Sequence, residues 1–312
     1  SLSKLFFIED TVNKNILGCL LAAIAATLWG STGTAQSFIS QGGPNPLWVG
    51  AFRLFFACCF FLPLLAFRKN KNTCSTPIQP QKAFTVKILV AGLSMAFFNL
   101  LFFSGVKILG VALGSCLIIG SAPLWAGLLE FVFYRNLPSQ KWMIGIIIAI
   151  SGGALMAISQ AQNIGFSFSG LMVCLSAGFC YSLYSITAKS LVQHASPLKV
   201  STYIFLIAVS IATPVAWLST GLPSFTLTDM MIVLYLGIVV TGIAYLLYST
   251  ALKIINVSTA VSLGLLEPVV AFTLAIIVVN EPVSIGSGIG LVAILSGLLF
   301  VLKSETQNKL SS

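Results

Sequence analysis

Ten apolar runs, each about as long as the roughly 20 residues that a helix needs to cross a bilayer, follow one another along the chain with short stretches between them. They fall at 16–37, 47–67, 86–106, 111–134, 142–159, 168–188, 199–218, 230–251, 257–279 and 285–302. Runs such as Val257 to Val279 and Met143 to Ile158 lack the apolar–polar alternation of a membrane barrel's strands, so they read as helices. Composition supports this: 57% of the 312 residues are hydrophobic and 7% charged, with mean hydropathy +1.02, against about 25% charge in soluble domains. Soluble enzymes and a second, soluble domain are thereby excluded. The net charge of +9 does not point to nucleic acid, because the basic residues lie between apolar runs and not along a face with stacking aromatics.

Alternate loops carry very unequal charge. With the N-terminus in the cytoplasm, fourteen Lys and Arg lie on the cytoplasmic side and Lys107 alone on the other, while Arg53 sits inside the second run. Basic loops stay in the cytoplasm, which predicts both termini inside and an even number of spans. The seven cysteines, Cys19, Cys58, Cys59, Cys74, Cys116, Cys174 and Cys180, form no paired CxxC set and read as small packing residues. Ser1 to Asp10, with Lys4, Glu9 and Asp10, show no small-residue cleavage site of a secretory signal.

The chain also repeats itself. An offset of 145 sets Pro123 on Pro268, Asn136 on Glu281, Gly145 on Gly290, and Ser151-Gly152 on Ser296-Gly297; near the start of each half an offset of 151 sets Pro46-Leu47 on Pro197-Leu198. The expected organisation is a first five-helix repeat at 15–159 and a second at 167–303, with cytoplasmic tails 1–14 and 304–312. Five is odd, so the second repeat enters the membrane upside down. Inverted repeats of this kind let a carrier expose one midplane site to either side in turn.

These features resemble the EamA family of the drug/metabolite transporter superfamily. The resemblance rests on Leu28-Trp29-Gly30 in the first run, the mid-run prolines of Ala122-Pro123 and Glu267-Pro268, the Glu281-Pro282-Val283-Ser284 turn, and the Ser-Gly pairs of the fifth and tenth runs. It covers essentially the whole chain, and the first half departs from it at Asn136, opposite Glu281. It implies an all-α, ten-helix carrier of the bacterial inner membrane, often an exporter of amino acids or related metabolites.

Charges within the spans are the sharpest candidates for a site, since one at the bilayer centre costs at least about 2.5–3.5 kcal/mol. Glu267 lies ten residues from Val257 and twelve from Val279, too deep to reach either surface. It is a candidate for the coupling proton or for the counter-ion of a substrate ammonium. Arg53, about two turns into its run, suits a substrate carboxylate or a pairing with Glu267. Glu130, a turn from the end of its run and near Arg135, reads as an interfacial charge. Trp29, Gln36, Asn99, Tyr181, Tyr245 and Tyr248 complete the candidate substrate-binding set, with Ser31, Thr32, Thr34, Ser176, Tyr184, Ser185, Thr241 and Ser249 as further polar breaks in the runs. Together they suggest a cavity with aromatic walls and few charges.

Other motifs carry less. Gly288-Ile-Gly290-Leu-Val-Ala293 fits the dinucleotide pattern in letters only, because no strand precedes it; Gly110/Gly114 and Gly286/Gly290 read as close helix contacts. His194 stands without metal-site or triad partners, and no GxxxxGK[ST] loop, HExxH or GxSxG occurs. The leading expectation is a secondary transporter of small organic metabolites working by alternating access, not an enzyme. The alternatives are an exporter of drugs or quaternary amines, or a nucleoside- or sugar-type carrier; a membrane-embedded enzyme or a channel stands further off. The expected partners are a small-molecule substrate and the lipid bilayer, with protons as the candidate coupling ion and no nucleic acid. No cofactor or metal is expected, and the chain reads as a monomer or homodimer.

Overall fold

The computed structural model describes residues 2–40, 42–69, 81–109, 111–135, 137–160, 167–279 and 285–308. These form α1 (Leu2–Ser37), α2 (Pro46–Lys69), α3 (Gln81–Leu109), α4 (Val111–Tyr134), α5 (Gln140–Gln160), α6 (Phe168–Val192), α7 (Pro197–Thr220), α8 (Leu227–Tyr235), a π-helical segment Leu236–Ile243, α9 (Ala244–Ile254), α10 (Val257–Leu263), α11 (Leu266–Val279) and α12 (Ile285–Asn308). Nine stretches are long and apolar enough to cross a membrane, and the shorter apolar helix Gln140–Met156 makes the tenth among the described residues. Asn136, Gly110, Cys74 and the 281–284 turn lie outside the described residues, as do the loops 70–80 and 161–166. Helix α1 starts well before its apolar run and α12 continues past its own.

Local chemistry sets several helix starts. The Ser196 hydroxyl accepts from Lys199 N and Pro197 opens α7, the two preferences of a helix N-terminus. Thr226 and Asp229 form a reciprocal capping box at α8. Asp229 is fully buried, and its carboxylate also accepts from Ser40 N at 2.9 Å and from Ser40 Oγ. The turn after α1 is thereby tied to α8.

Two runs expected as single helices are interrupted. Between α8 and α9 the backbone widens into a π-helix, and the Thr241 hydroxyl donates to Leu236 O, five residues back, at 2.7 Å. Between α10 and α11 the chain tightens into turns, Gly264 N to Val261 O, Leu265 N to Ser262 O and Glu267 N to Gly264 O. Pro268 has no N–H for the carbonyl four residues back and its ring crowds that group. Here that residue is Gly264, whose backbone yields readily.

Packing follows the repeat. Helix α6 packs against α3 and α4, as α1 packs against α9 and α11, while α2 packs on α7 and α5 on α12. The α5–α12 seam is very close: a Cβ on Gly145 would lie 2.6 Å from Gly297 O, and one on Gly152 would lie 2.6 Å from Gly290 O. In the repeat, Gly145 corresponds to Gly290 and Gly152 to Gly297. Each glycine therefore meets the image of the other, as a two-fold axis between the halves requires. Lipid tails are as apolar as leucine, so such close backbone approach drives helix association here. Leucine and isoleucine such as Leu17, Leu20 and Ile24 of α1 face outward, whereas Ala22, Ala25 and Ala26 of the same helix are buried.

Candidate functional site

Ten crossings bring Leu2 and Asn308 to one face, the terminal face. A cavity occupies the middle of the bundle and the half nearer the opposite face. Arg53 and Gly50 stand within the first turns of α2, Asn99 and Phe102 within the last turns of α3, and Ile118, Ile119 and Ala122 in the first half of α4. Its empty space, with the open solvent at the mouth included, is about 810 Å³.

The walls differ. One wall, from α1, α2, the π-segment with α9, and α10 with α11, presents Trp29, Thr32, Arg53, Thr241, Tyr245 and Glu267. The other, from α3, α4, α6 and α7, presents mainly Met95, Phe98, Phe102, Ile118, Ala122 and Phe205, with Asn99 and Tyr181 as its polar members.

Each irregularity of the polar wall places a functional group. The π-segment turns Thr241 and Tyr245 inward, and Thr241 Oγ1 accepts from Arg53 Nε at 3.2 Å. The break after α10 puts Glu267 in the first turn of α11, where the free N–H groups and helix dipole favour a carboxylate. Arg53 and Glu267 feel each other's charge, yet no ion pair joins them among the described residues. Gly30 fixes the spacing between α1 and α11: a Cβ there would lie 2.8 Å from Glu267 O and 2.6 Å from Val270 Cβ. The Leu28-Trp29-Gly30 motif thus combines a close approach to α11 at Gly30 with an indole, Trp29, that lines the cavity.

Aromatic rings form the floor toward the terminal face. Trp29 lies 5.0 Å from Tyr245, 5.3 Å from Tyr248 and 6.1 Å edge-on from Tyr181, and Phe98 stands 5.2 Å from Tyr181. Six of the eight candidate residues therefore line the cavity: Trp29, Arg53, Asn99, Tyr181, Tyr245 and Glu267. Tyr248 does not; it is fully buried beneath Trp29, with its hydroxyl 2.9 Å from Ser185 Oγ. Gln36, two turns and about 10 Å up α1 from Trp29, is absent from the lining. Glu130, a turn from the end of α4, is buried within the protein, its Oε2 accepting from Ser258 N at 3.0 Å. The missed residues are mostly apolar, Met95, Phe98, Phe102, Ile118 and Phe205 among them. His194 is exposed, with Nδ1 3.0 Å from Ser190 O, and no cluster of metal-binding side chains occurs among the described residues.

Comparison with known proteins matches this architecture. The uncharacterized transporter YwfM of Bacillus subtilis (strain 168) is 30% identical over 95% of this chain and 97% of its own. A Salmonella typhimurium protein named "Probable amino-acid metabolite efflux pump" is 25% identical over 68% of this chain and 74% of its own. One crystal structure, 18% identical, superposes with a TM-score of 0.76 over 95% of this chain and 99% of that one, a likeness of fold. The pattern of the EamA-like transporter family matches twice, at 16–158 and 168–303. With two such repeats and ten apolar crossings, the chain is a multi-pass protein of the bacterial cell membrane and belongs to the EamA-like transporter family.

Proposed function

We propose that this transporter carries amino acids or closely related zwitterionic metabolites outward by alternating access, and that it is not an enzyme. The observation behind this is the polar wall, where Arg53 and Glu267 sit in one cavity without neutralising each other. Arg53 takes the substrate carboxylate as a charge-assisted, bidentate partner. Glu267 takes the ammonium, and its proton is the candidate for coupling to a gradient. The facing apolar wall suits an aliphatic or aromatic side chain. Export is supported by the name of the Salmonella relative, and cytoplasmic termini by the fourteen-to-one distribution of basic residues.

The aromatic cluster around Trp29 favours a second reading, a quaternary ammonium substrate held against ring faces with Glu267 as counter-ion. Arg53 weighs against it, because a lone cation would leave a second positive charge beside it. Counterflow in proteoliposomes decides between them. Saturable exchange of a labelled neutral amino acid, competed by other zwitterions and not by choline-type cations, is the expected result; exchange confined to quaternary amines or nucleosides would overturn the zwitterion reading. Orientation has its own test: a single cysteine at position 76 in a cysteine-free chain should resist an impermeant reagent added outside intact cells.

A further inference from the structure

Hydroxyl groups crowd the closed side of the cavity. Between its aromatic floor and the terminal face the fully buried residues include Tyr184, Ser185, Ser201, Tyr248 and Ser249, with Ser201 Oγ 3.0 Å from Ser249 Oγ across α7 and α9. Three donors in this region, Trp29 Nε1 and the hydroxyls of Tyr181 and Tyr184, have no hydrogen-bond partner among the described residues. Hydroxyls of Tyr248 and Ser249 lie near the two tyrosines but outside bonding geometry. Buried polar groups are rarely left unpaired, so this layer of donors below the cavity stands apart from the apolar packing around it.

Two charged side chains close the far end of this column at the corner between α9 and α10. Glu130 of α4 accepts from Ser258 N at 3.0 Å. Lys189 of α6 donates to Leu252 O at 3.1 Å and to Ile255 O at 2.5 Å, and Gln193, which caps the end of α6, adds a bond to Lys253 O at 3.3 Å. All three reach from the apolar-wall helices to the polar-wall helices. The repeat supplies no such pair on the opposite face. The residue matching Glu130 at the offset of 145 is Ala275, and residues 38–44, which the offsets of 151 to 145 set against Lys189, are Phe, Ile, Ser, Gln, Gly, Gly and Pro.

We infer that Glu130 and Lys189 form a two-point clasp on the α9–α10 corner, and that the hydroxyl column above it is the closed second half of the translocation route. The inference rests on the transport reading of the cavity. Both residues act by positioning the corner; neither touches substrate in the state described. Releasing either hold frees a backbone group of α9 or α10 and lets the polar-wall helices part from α4 and α6 at the terminal face.

Cysteine accessibility in the full-length protein tests the clasp without any substrate. In a cysteine-free background, Ser249→Cys reports on the column and Thr32→Cys on the cavity, each labelled with an impermeant maleimide from one face of sealed vesicles. Glu130→Ala and Lys189→Ala are expected to speed labelling of position 249 from the terminal face by tenfold or more and to slow labelling of position 32 from the opposite face. Lys189→Arg, which keeps the donors, is expected to restore the parental pattern. Glu130→Gln and Lys189→Gln, milder changes usable even where the alanine variants do not fold, are expected to give the same shift at about two- to fivefold. Unchanged labelling of position 249 in the folded variants, or equal acceleration from both faces, would overturn the clasp. Counterflow is measured separately, so failure of the clasp and failure of the transport reading are distinguishable.

Discussion

Helix α4 and the α10–α11 pair occupy equivalent places in the two repeats and carry the same proline, yet α4 runs unbroken through Pro123 while its counterpart splits before Pro268. The residue four before each proline separates them: β-branched Ile119 in one, Gly264 in the other. Helix α4 also gains a brace, since Ser182 Oγ of α6 donates to Ala122 O at 2.7 Å. The continuous copy lines the cavity with Ile118, Ile119 and Ala122, and the broken copy offers Glu267 at a helix start. The same repeat pattern thus yields a smooth, apolar wall and a polar one bearing a carboxylate. The repeat provides the frame, and a few differences between its copies provide the candidate site.

The largest effect is expected where the halves differ most. Glu267→Gln keeps size and hydrogen bonding and removes the charge; zwitterion affinity should fall by about 1.5–3 kcal/mol, roughly ten- to hundredfold, with pH-driven accumulation lost. Uptake kinetics and pH dependence like those of the parent would leave Glu267 a structural residue. Arg53→Gln should cost a similar or slightly smaller factor for substrates bearing a carboxylate and little for a decarboxylated amine, as competition for counterflow would reveal. At the α5–α12 seam the halves are alike, so Gly145→Ala and Gly297→Ala should each destabilise by about 1–3 kcal/mol through overpacking, read as a lower unfolding midpoint in detergent. Gly288, whose added Cβ would meet nothing within 4 Å, is the matched control, and Gly288→Ala should leave that midpoint unmoved. The smallest change is expected from Gly264→Ala, which stiffens the break: a few-fold lower turnover with folding retained, measured as Vmax of exchange. An unaltered Vmax would detach the break from function.

Charge and polarity made much of the site legible in the sequence. A carboxylate ten residues inside an apolar run is costly, so Glu267 stood out, and Trp29, Arg53, Asn99, Tyr181 and Tyr245 interrupt their runs in the same way. Phe98, Phe102 and Met95 did not stand out, because an apolar side chain looks the same whether it faces lipid, a neighbouring helix or a cavity. The partner of Glu130 was hidden for another reason: Arg135 is its near neighbour in sequence, while Ser258 N lies 128 residues along the chain. Tyr248 likewise takes its partner Ser185 from a helix 63 residues away. Hydropathy located the ten spans but not the π-segment or the α10–α11 break, since both preserve apolar composition while changing the hydrogen-bond register.

The glycine seam has a consequence for the halves taken singly. Gly145 of α5 rests on Gly297, the image of Gly152, and Gly152 rests on Gly290, the image of Gly145. The α5 surface is therefore complementary to a copy of itself turned over in the membrane, and not to one in the same orientation. The contact pattern that joins the two halves antiparallel is thus written into α5 itself, in the spacing of Gly145 and Gly152.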